Sequence, residues 1–278
     1  MISSRRNPLV KRLKSLSKKD GRIEHSSLLL EGTHLLEEAL KTKSVPTEII
    51  STGQWLKDHA EIMKSIPADC STYEVTPEVL EAGLTTVSPD GVACIFPLSS
   101  LPSLPKEPKY ILALDRFQDP GNVGNLFRSS LAAEFDVLWL ASGADPLNQK
   151  VLRASSGSVL HIPFERFGKD ERSSVEILAK KLKDASQKGW QVIASVLPNK
   201  KSYKKVIPYW DVDWNFPTIL VLGNEGSGIH PSIKDCCTTF VTLPHSEAIE
   251  SLNVASAAVP LLLERRRAKM NNVIHRKP

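Results

Sequence analysis

The sequence predicts an α/β protein of two domains in series, the second built on a parallel sheet. Three observations lead there. From Tyr110 onward, apolar runs of strand length alternate with segments of helical periodicity, the pattern of parallel strands covered on both faces. A stretch rich in Ser and Pro, Leu98–Lys109, divides that half from a smaller unit before it. With 278 residues the chain is long for one ordinary domain and comfortable for two, and its 41% hydrophobic content suffices for packed cores.

The opening segment, MISSRRNPLVKRLKSLSKKDGR, places Leu9, Leu13 and Leu16 at spacings of four and three, which predicts a short basic amphipathic helix. Ser27–Leu30 is a strand running into Glu31-Gly32. Leu35, Leu36, Ala39 and Leu40 then share one face of a helix. Strands follow at Pro46–Ser51, Thr72–Val75 and Val92–Phe96, with helices over Gln54–Ile66 and Pro77–Ala82. Beyond the linker the strands are Tyr110–Leu114, Val137–Leu140, a proline-bounded Ile162–Phe164, Gln191–Ser195, Thr218–Leu222 and Thr239–Leu243. The helices fall at about Val123–Ala133, Asn148–Ser156, Ser174–Gln187 and Ser251–Arg267, with a kink expected at Pro260.

Charge is unevenly spread. The chain carries a net +5, but residues 1–22 hold +7, residues 265–278 hold +6, and the residues between them net −8. Two basic termini on an acidic body suit contact with a polyanion, or are two solvated tails. The first of them reads as an arm whose main asset is charge. Cys70, Cys94, Cys236 and Cys237 form no CxxC pair, and with no His/Cys cluster the pattern is reduced, intracellular and without a metal site. No apolar run approaches the roughly 20 residues of a bilayer span, and the N-terminus has no secretory core. The expected location is the cytoplasm, an organellar transit segment being the alternative.

Three turns join strands to helices in the second half. In DPGNVGNLFR, residues 119–128, Pro120-Gly121 makes the turn and Asn122 is placed to cap the helix. Asn125 and Arg128 share its surface, and a guanidinium there is suited to grip phosphate. Alone, these residues also fit a cap and an ordinary surface cation. In LVLGNEGSGI, residues 220–229, three glycines in six residues permit close backbone approach, as in any turn. In LPHSEAIESLNVASAAVPLLLE, residues 243–264, Ser251 is a good N-cap for a helix rich in small residues. The first turn is not GxGxxG, which argues against a nucleotide-dependent oxidoreductase.

Taken together and in this order, the three segments resemble the motifs of the SpoU (TrmH-type) RNA ribose 2′-O-methyltransferases of the SPOUT superfamily. Arg153–Gly157 (RASSG), following Asp145-Pro146, is similar as well. LLLEG ahead of a helix looks like the small L30e-related RNA substrate-binding domain fused to many members. The resemblance implies a substrate-binding domain over 1–98, a linker over 99–109, a methyltransferase domain over 110–268 and a basic tail over 269–278. It implies a SPOUT-type parallel sheet with a C-terminal trefoil knot, and a homodimer whose active site draws on both chains. The cofactor it implies is S-adenosyl-L-methionine, held by Leu222, Gly223, Gly228, Ile229, Leu243 and Leu252, with no metal. Catalysis falls to Arg128, with Asn122, Glu225, Ser251 and Asn253 placing the ribose. The partner is structured RNA, rRNA ahead of tRNA. The HSEAIE loop departs from the small residues many relatives carry. Because an arginine's pKa exceeds about 12, Arg128 reads better as stabiliser of a developing alkoxide than as base, though the family's Arg-as-base reading stays open. A catalytically silent RNA-binding protein of the same fold is the competing reading.

Overall fold

The computed structural model describes residues 1–197 and 205–274, so the last four residues of the expected basic tail lie outside the described residues. Two compact units result, Met1–Pro102 with Asp145–His161, and Ser103–Ala144 with Ile162–Pro278. No described helix is long and apolar enough to cross a membrane.

The first unit starts with α1 (Pro8–Leu16) and α2 (Lys19–Glu24), then β1 (Ser27–Glu31), α3 (Thr33–Lys41), β2 (Glu48–Ser51), α4 (Gly53–Asp58), α5 (Ala60–Lys64), β3 (Ser71–Glu74), α6 (Pro77–Gly83) and β4 (Val92–Pro97). The four strands form one sheet in the order β1-β4-β2-β3. The expected Gln54–Ile66 helix is two short ones. His59 leaves helical geometry at φ −119° and its ring stacks on Trp55 with centroids 4.6 Å apart. No residue of α5 is buried, so no apolar packing holds the second piece in line.

The basic N-terminal segment is part of the core rather than an arm. Asn7 caps α1 by accepting from the Leu9 N–H at 2.9 Å, and Pro8 takes the first helical position. Leu9, Val10, Leu13 and Leu16 are then buried against Val79, Leu80 and the sheet. Even Arg22 is buried, paired with Asp145 and donating to the Ser17 carbonyl at 3.2 Å. Helical amphipathicity had marked the stripe correctly; its depth of burial makes the segment structural.

The second unit contains β5 (Tyr110–Asp115), α7 (Pro120–Ala132) and β6 (Val137–Ala141) before the chain contributes α8 (Gln149–Ala154) to the first unit. It resumes with β7 (Phe164–Phe167), α9 (Glu171–Gln187), β8 (Gln191–Ser195), β9 (Val206–Pro208), β10 (Thr218–Leu222), α10 (Pro231–Lys234), β11 (Thr239–Thr242) and α11 (Val254–Ile274). All seven strands are parallel in the order β7-β6-β5-β10-β8-β11-β9. β7 starts two residues later than expected because Pro163 has no N–H to give; its carbonyl accepts from Leu138 instead. β9 went unseen in the sequence, being three residues long with a proline at its end. α11 passes through Pro260 as one helix.

The basic C-terminal stretch is likewise partly structural. Arg265 is buried, 3.4 Å over the Tyr110 ring, and donates to the carbonyls of Ala133 and Glu134 at 2.8 and 3.0 Å. Lys269 and Arg266 hydrogen-bond the Glu134 carboxylate and lower its pKa from an ordinary 4.5 to about 2. A carboxyl lowered on folding adds stability above the unfolded value and loses it as pH falls through the folded one. Glu134→Gln should therefore flatten the fall in thermal stability between about pH 4.5 and pH 2, measured by calorimetric melting. The side chain is 43% exposed, which keeps the effect small.

Candidate active site at the carboxyl edge of the parallel sheet

Chain order makes β5 the switch point of this sheet, with β6 and β7 on one side and β10, β8, β11 and β9 on the other. Open parallel sheets bind ligands outside the carboxyl ends of the strands at such a point. The segments leaving β5, β10 and β11 are the three singled out from the sequence.

At the end of β5, Asp115 is fully buried and Arg116 takes a left-handed backbone at φ 57°. The Asp115 carboxylate accepts from Arg116 Nε at 2.8 Å and Nη2 at 3.2 Å, and from the His230 backbone N–H at 2.6 Å. These bonds lift the Arg116 pKa above its ordinary value. Arg116 Nη2 in turn donates to the Gly228 carbonyl at 3.3 Å, while its own carbonyl accepts from Asn224 Nδ2 at 2.8 Å. One buried carboxylate thus fixes both ends of the loop after β10. Sequence reasoning missed this pair; its only signal was two adjacent charges closing an apolar strand.

Within that loop Asn224 and Gly228 exchange two backbone hydrogen bonds at 3.1 and 3.0 Å. Asn224 Oδ1 accepts from the N–H groups of Gly226 and Ser227 at 3.0 and 2.9 Å. Glu225 stands between them and reaches the start of α7. It accepts from the N–H groups of Gln118 and Asp119, both at 3.3 Å, and from Asn122 Nδ2 at 3.2 Å. The positive end of a helix suits a carboxylate there.

Asn122 does not cap α7. Asp119 does, accepting from the Asn122 N–H at 2.7 Å, because Pro120 occupies the first helical position and Asn122 the third. The Asn122 side chain is buried and joins two motifs, donating to Glu225 and accepting from Asn253 Nδ2 at 3.0 Å. α11 likewise starts at Val254 with Asn253, not Ser251, accepting from the Ser256 N–H at 3.1 Å. Three distant segments therefore meet at Asn122, Glu225 and Asn253. Ser251 is exposed, two residues before this junction.

Arg128 lies elsewhere. Six residues after Asn122, it sits about 9 Å along α7 and about 120° around it, and it is exposed. The cofactor candidates divide between two strand ends. Leu222, Gly223, Gly228 and Ile229 follow β10, while Leu243 and Leu252 follow β11. Gly223 approaches the chain itself, since a Cβ there would stand 2.3 Å from the Ile229 nitrogen. Beside Leu243, the Thr242 hydroxyl is nine-tenths buried with no hydrogen-bond partner among the described residues. An orphaned buried hydroxyl at a strand's carboxyl end is costly unless a ligand satisfies it, which fits these residues to a bound polar molecule.

Comparison with known proteins gives the following. The profile of the SpoU rRNA Methylase family matches residues 109–262, and that of the MRM3-like substrate binding domain matches residues 7–94. An uncharacterized tRNA/rRNA methyltransferase of Synechocystis is 35% identical over 96% of this chain and 93% of its own. A 23S rRNA (guanosine(2553)-2′-O)-methyltransferase of Bacillus subtilis is 31% identical over 94% and 97%. The AdoMet-bound rRNA methyltransferase of Sinorhizobium meliloti superposes with a TM-score of 0.76 at 26% identity, covering 96% of this chain and 97% of that one.

Proposed function

The chain belongs to the SpoU rRNA Methylase family and is an RNA methyltransferase, and we propose that it methylates a ribose 2′-hydroxyl in structured RNA, ribosomal RNA before transfer RNA. The observation that carries this reading is the junction of Asn122, Glu225 and Asn253, one residue from each motif, at the switch point of the sheet. The AdoMet-bound neighbour supports S-adenosyl-L-methionine as cofactor. When bound, it supplies a sulfonium methyl group, electrophilic without any metal. Leu222, Gly223, Gly228, Ile229, Leu243 and Leu252 would hold it, with Thr242 as a further hydrogen-bonding partner.

The chain's own residues then have separable roles. Arg128 stabilises negative charge developing on the ribose oxygen and grips the adjacent phosphate. Asn122, Glu225 and Asn253 are positioning residues that fix the loops to one another, and Ser251 contacts the ribose. Arg128 and the Asn122 junction lie on different sides of α7, which supports a homodimer in which one protomer's Arg128 serves its partner's cofactor site. The trefoil knot and a cytoplasmic location belong to the same proposal.

The test is transfer of tritiated methyl from S-adenosyl-L-methionine to deproteinised ribosomal RNA of a strain lacking the gene. Label retained in alkali-resistant dinucleotides is expected, because a 2′-O-methyl group blocks cleavage at that position. Cofactor binding by calorimetry without transfer to either RNA class would favour an RNA-binding protein.

RNA capture can be tested on α1 without unfolding it. Deleting residues 1–22 would remove four core side chains, whereas Lys11 and Lys14 of α1 and Lys18 just beyond its end are exposed. Their joint replacement by Glu should weaken RNA binding and flatten the slope of log affinity against log salt by about 1–3. Cofactor affinity should hold. An unaltered salt slope would remove α1 from the RNA interface.

A further inference from the structure

The first unit contains a cleft of about 260 Å³ that the methyl-transfer reading leaves unused. Leu35, Leu84 and Pro89 provide its apolar surface, and Thr86, Asp90 and Arg153 provide polar edges. Hydrogen bonds fix its framework. The Glu31 carboxylate, 1% exposed, accepts from the N–H groups of Thr85 and Thr86 at 2.9 and 3.0 Å. It also accepts from both threonine hydroxyls and from Arg153 Nη1 at 3.2 Å. Arg153 reaches this unit from a segment 122 residues further along the chain, and its side chain remains 35% exposed. Opposite, Asp90 Oδ2 accepts from the Thr33 N–H at 2.8 Å. Gly32, at φ +102°, takes a left-handed backbone that L side chains rarely adopt, and the turn it makes presents the Thr33 N–H to Asp90.

These parts specify a ligand. An ionised carboxylate only accepts, so the group facing Asp90 must donate. A planar guanidinium held in place suits phosphate. The apolar surface suits the face of a ring. The volume lies below the roughly 300 Å³ at which drug-sized sites begin, enough for one splayed nucleotide and too little for a helix. Proteins read single-stranded RNA by that means, stacking unpaired bases and bonding their edges.

We propose that this cleft takes one unstacked nucleotide of the substrate RNA, its base on Leu35, Leu84 and Pro89, its N–H edge on Asp90 and its phosphate at Arg153, with guanosine preferred over uridine. Guanine offers two parallel donors, N1–H and N2–H, to a carboxylate. Uracil offers one N–H between two carbonyls that the carboxylate repels. The proposal rests on the RNA-methyltransferase reading and gives it a substrate-selecting site.

The test uses the full chain and two probes, an octamer of uridylate and the same octamer with one central guanosine, followed by fluorescence anisotropy. The guanosine octamer should bind about tenfold tighter, within the range of one bidentate base contact. Asp90→Asn keeps an acceptor for Thr33 and should abolish the preference. Ser88→Trp, at the exposed mouth, should reduce the guanosine octamer to the all-uridine level. Equal binding of the two octamers by the unaltered protein, or a preference surviving both substitutions, overturns the proposal. A guanosine preference without methyl transfer to either ribosomal or transfer RNA would overturn the proposed function and leave this site standing.

Discussion

Arg128→Ala should lower turnover by on the order of a hundredfold or more, with cofactor affinity almost unchanged. Losing one preorganised donor to a developing oxyanion costs about that much, roughly 2.7 kcal/mol of barrier. Arg128 is exposed on α7, outside the Asn122–Glu225–Asn253 junction, so truncation should leave the folded site intact. The loss should therefore appear in kcat and not in the melting temperature. Arg128→Lys retains the charge and loses the planar fork, and should recover only part of the rate. Mixing Arg128→Ala chains with chains carrying an inactivating change in the Gly223–Gly228 loop tests the composite site. If each protomer's arginine serves its partner, some mixed dimers regain one complete centre. Near-normal turnover of Arg128→Ala with methylatable RNA would refute the assignment.

The architecture was legible where burial imposes periodicity. Gln191–Ser195 and Thr218–Leu222 were placed to the residue, because central parallel strands are apolar on both faces and end where polarity resumes. Weaker burial made the sequence less informative, as at α5, with no buried side chain, and at edge strand β9. Site residues were legible only as motifs. Nothing local distinguishes an asparagine that caps from one reaching a residue 131 positions away, so Asn122 was given a cap's role where its side chain in fact joins Glu225 and Asn253. Asp115 and Arg116 escaped notice because their work depends on a buried carboxylate meeting a backbone N–H 115 residues later. Charge misled at the N-terminus. The lysines of α1 face solvent while its leucines close a core, and net charge counts only the former.

Gly223→Val should nearly abolish S-adenosyl-L-methionine binding, and for a reason internal to the protein. The resemblance places Gly223 against the cofactor, where a side chain would take up cofactor space. In the fold it would first collide with the chain, at 2.3 Å from the Ile229 nitrogen and 2.4 Å from the Gly228 carbonyl carbon. Backbone atoms cannot step aside as a flexible side chain would, so the loop between Asn224 and Gly228 must open. Opening it breaks the paired Asn224–Gly228 hydrogen bonds and pulls on the Arg116 contact to Gly228. Glu225 is carried on the same loop, so its bonds to Gln118, Asp119 and Asn122 should weaken as well. The expected result is loss of cofactor binding by calorimetry with a measurable fall in melting temperature, while RNA affinity persists. Gly226→Ala is the control. Its Cβ would meet only Asn224 Oδ1, at an ordinary 3.7 Å, and the dissociation constant should stay within a few-fold of the unaltered protein. An unchanged cofactor constant in Gly223→Val would show that the loop after β10 does not form the binding site, and would move the cofactor away from the switch point altogether.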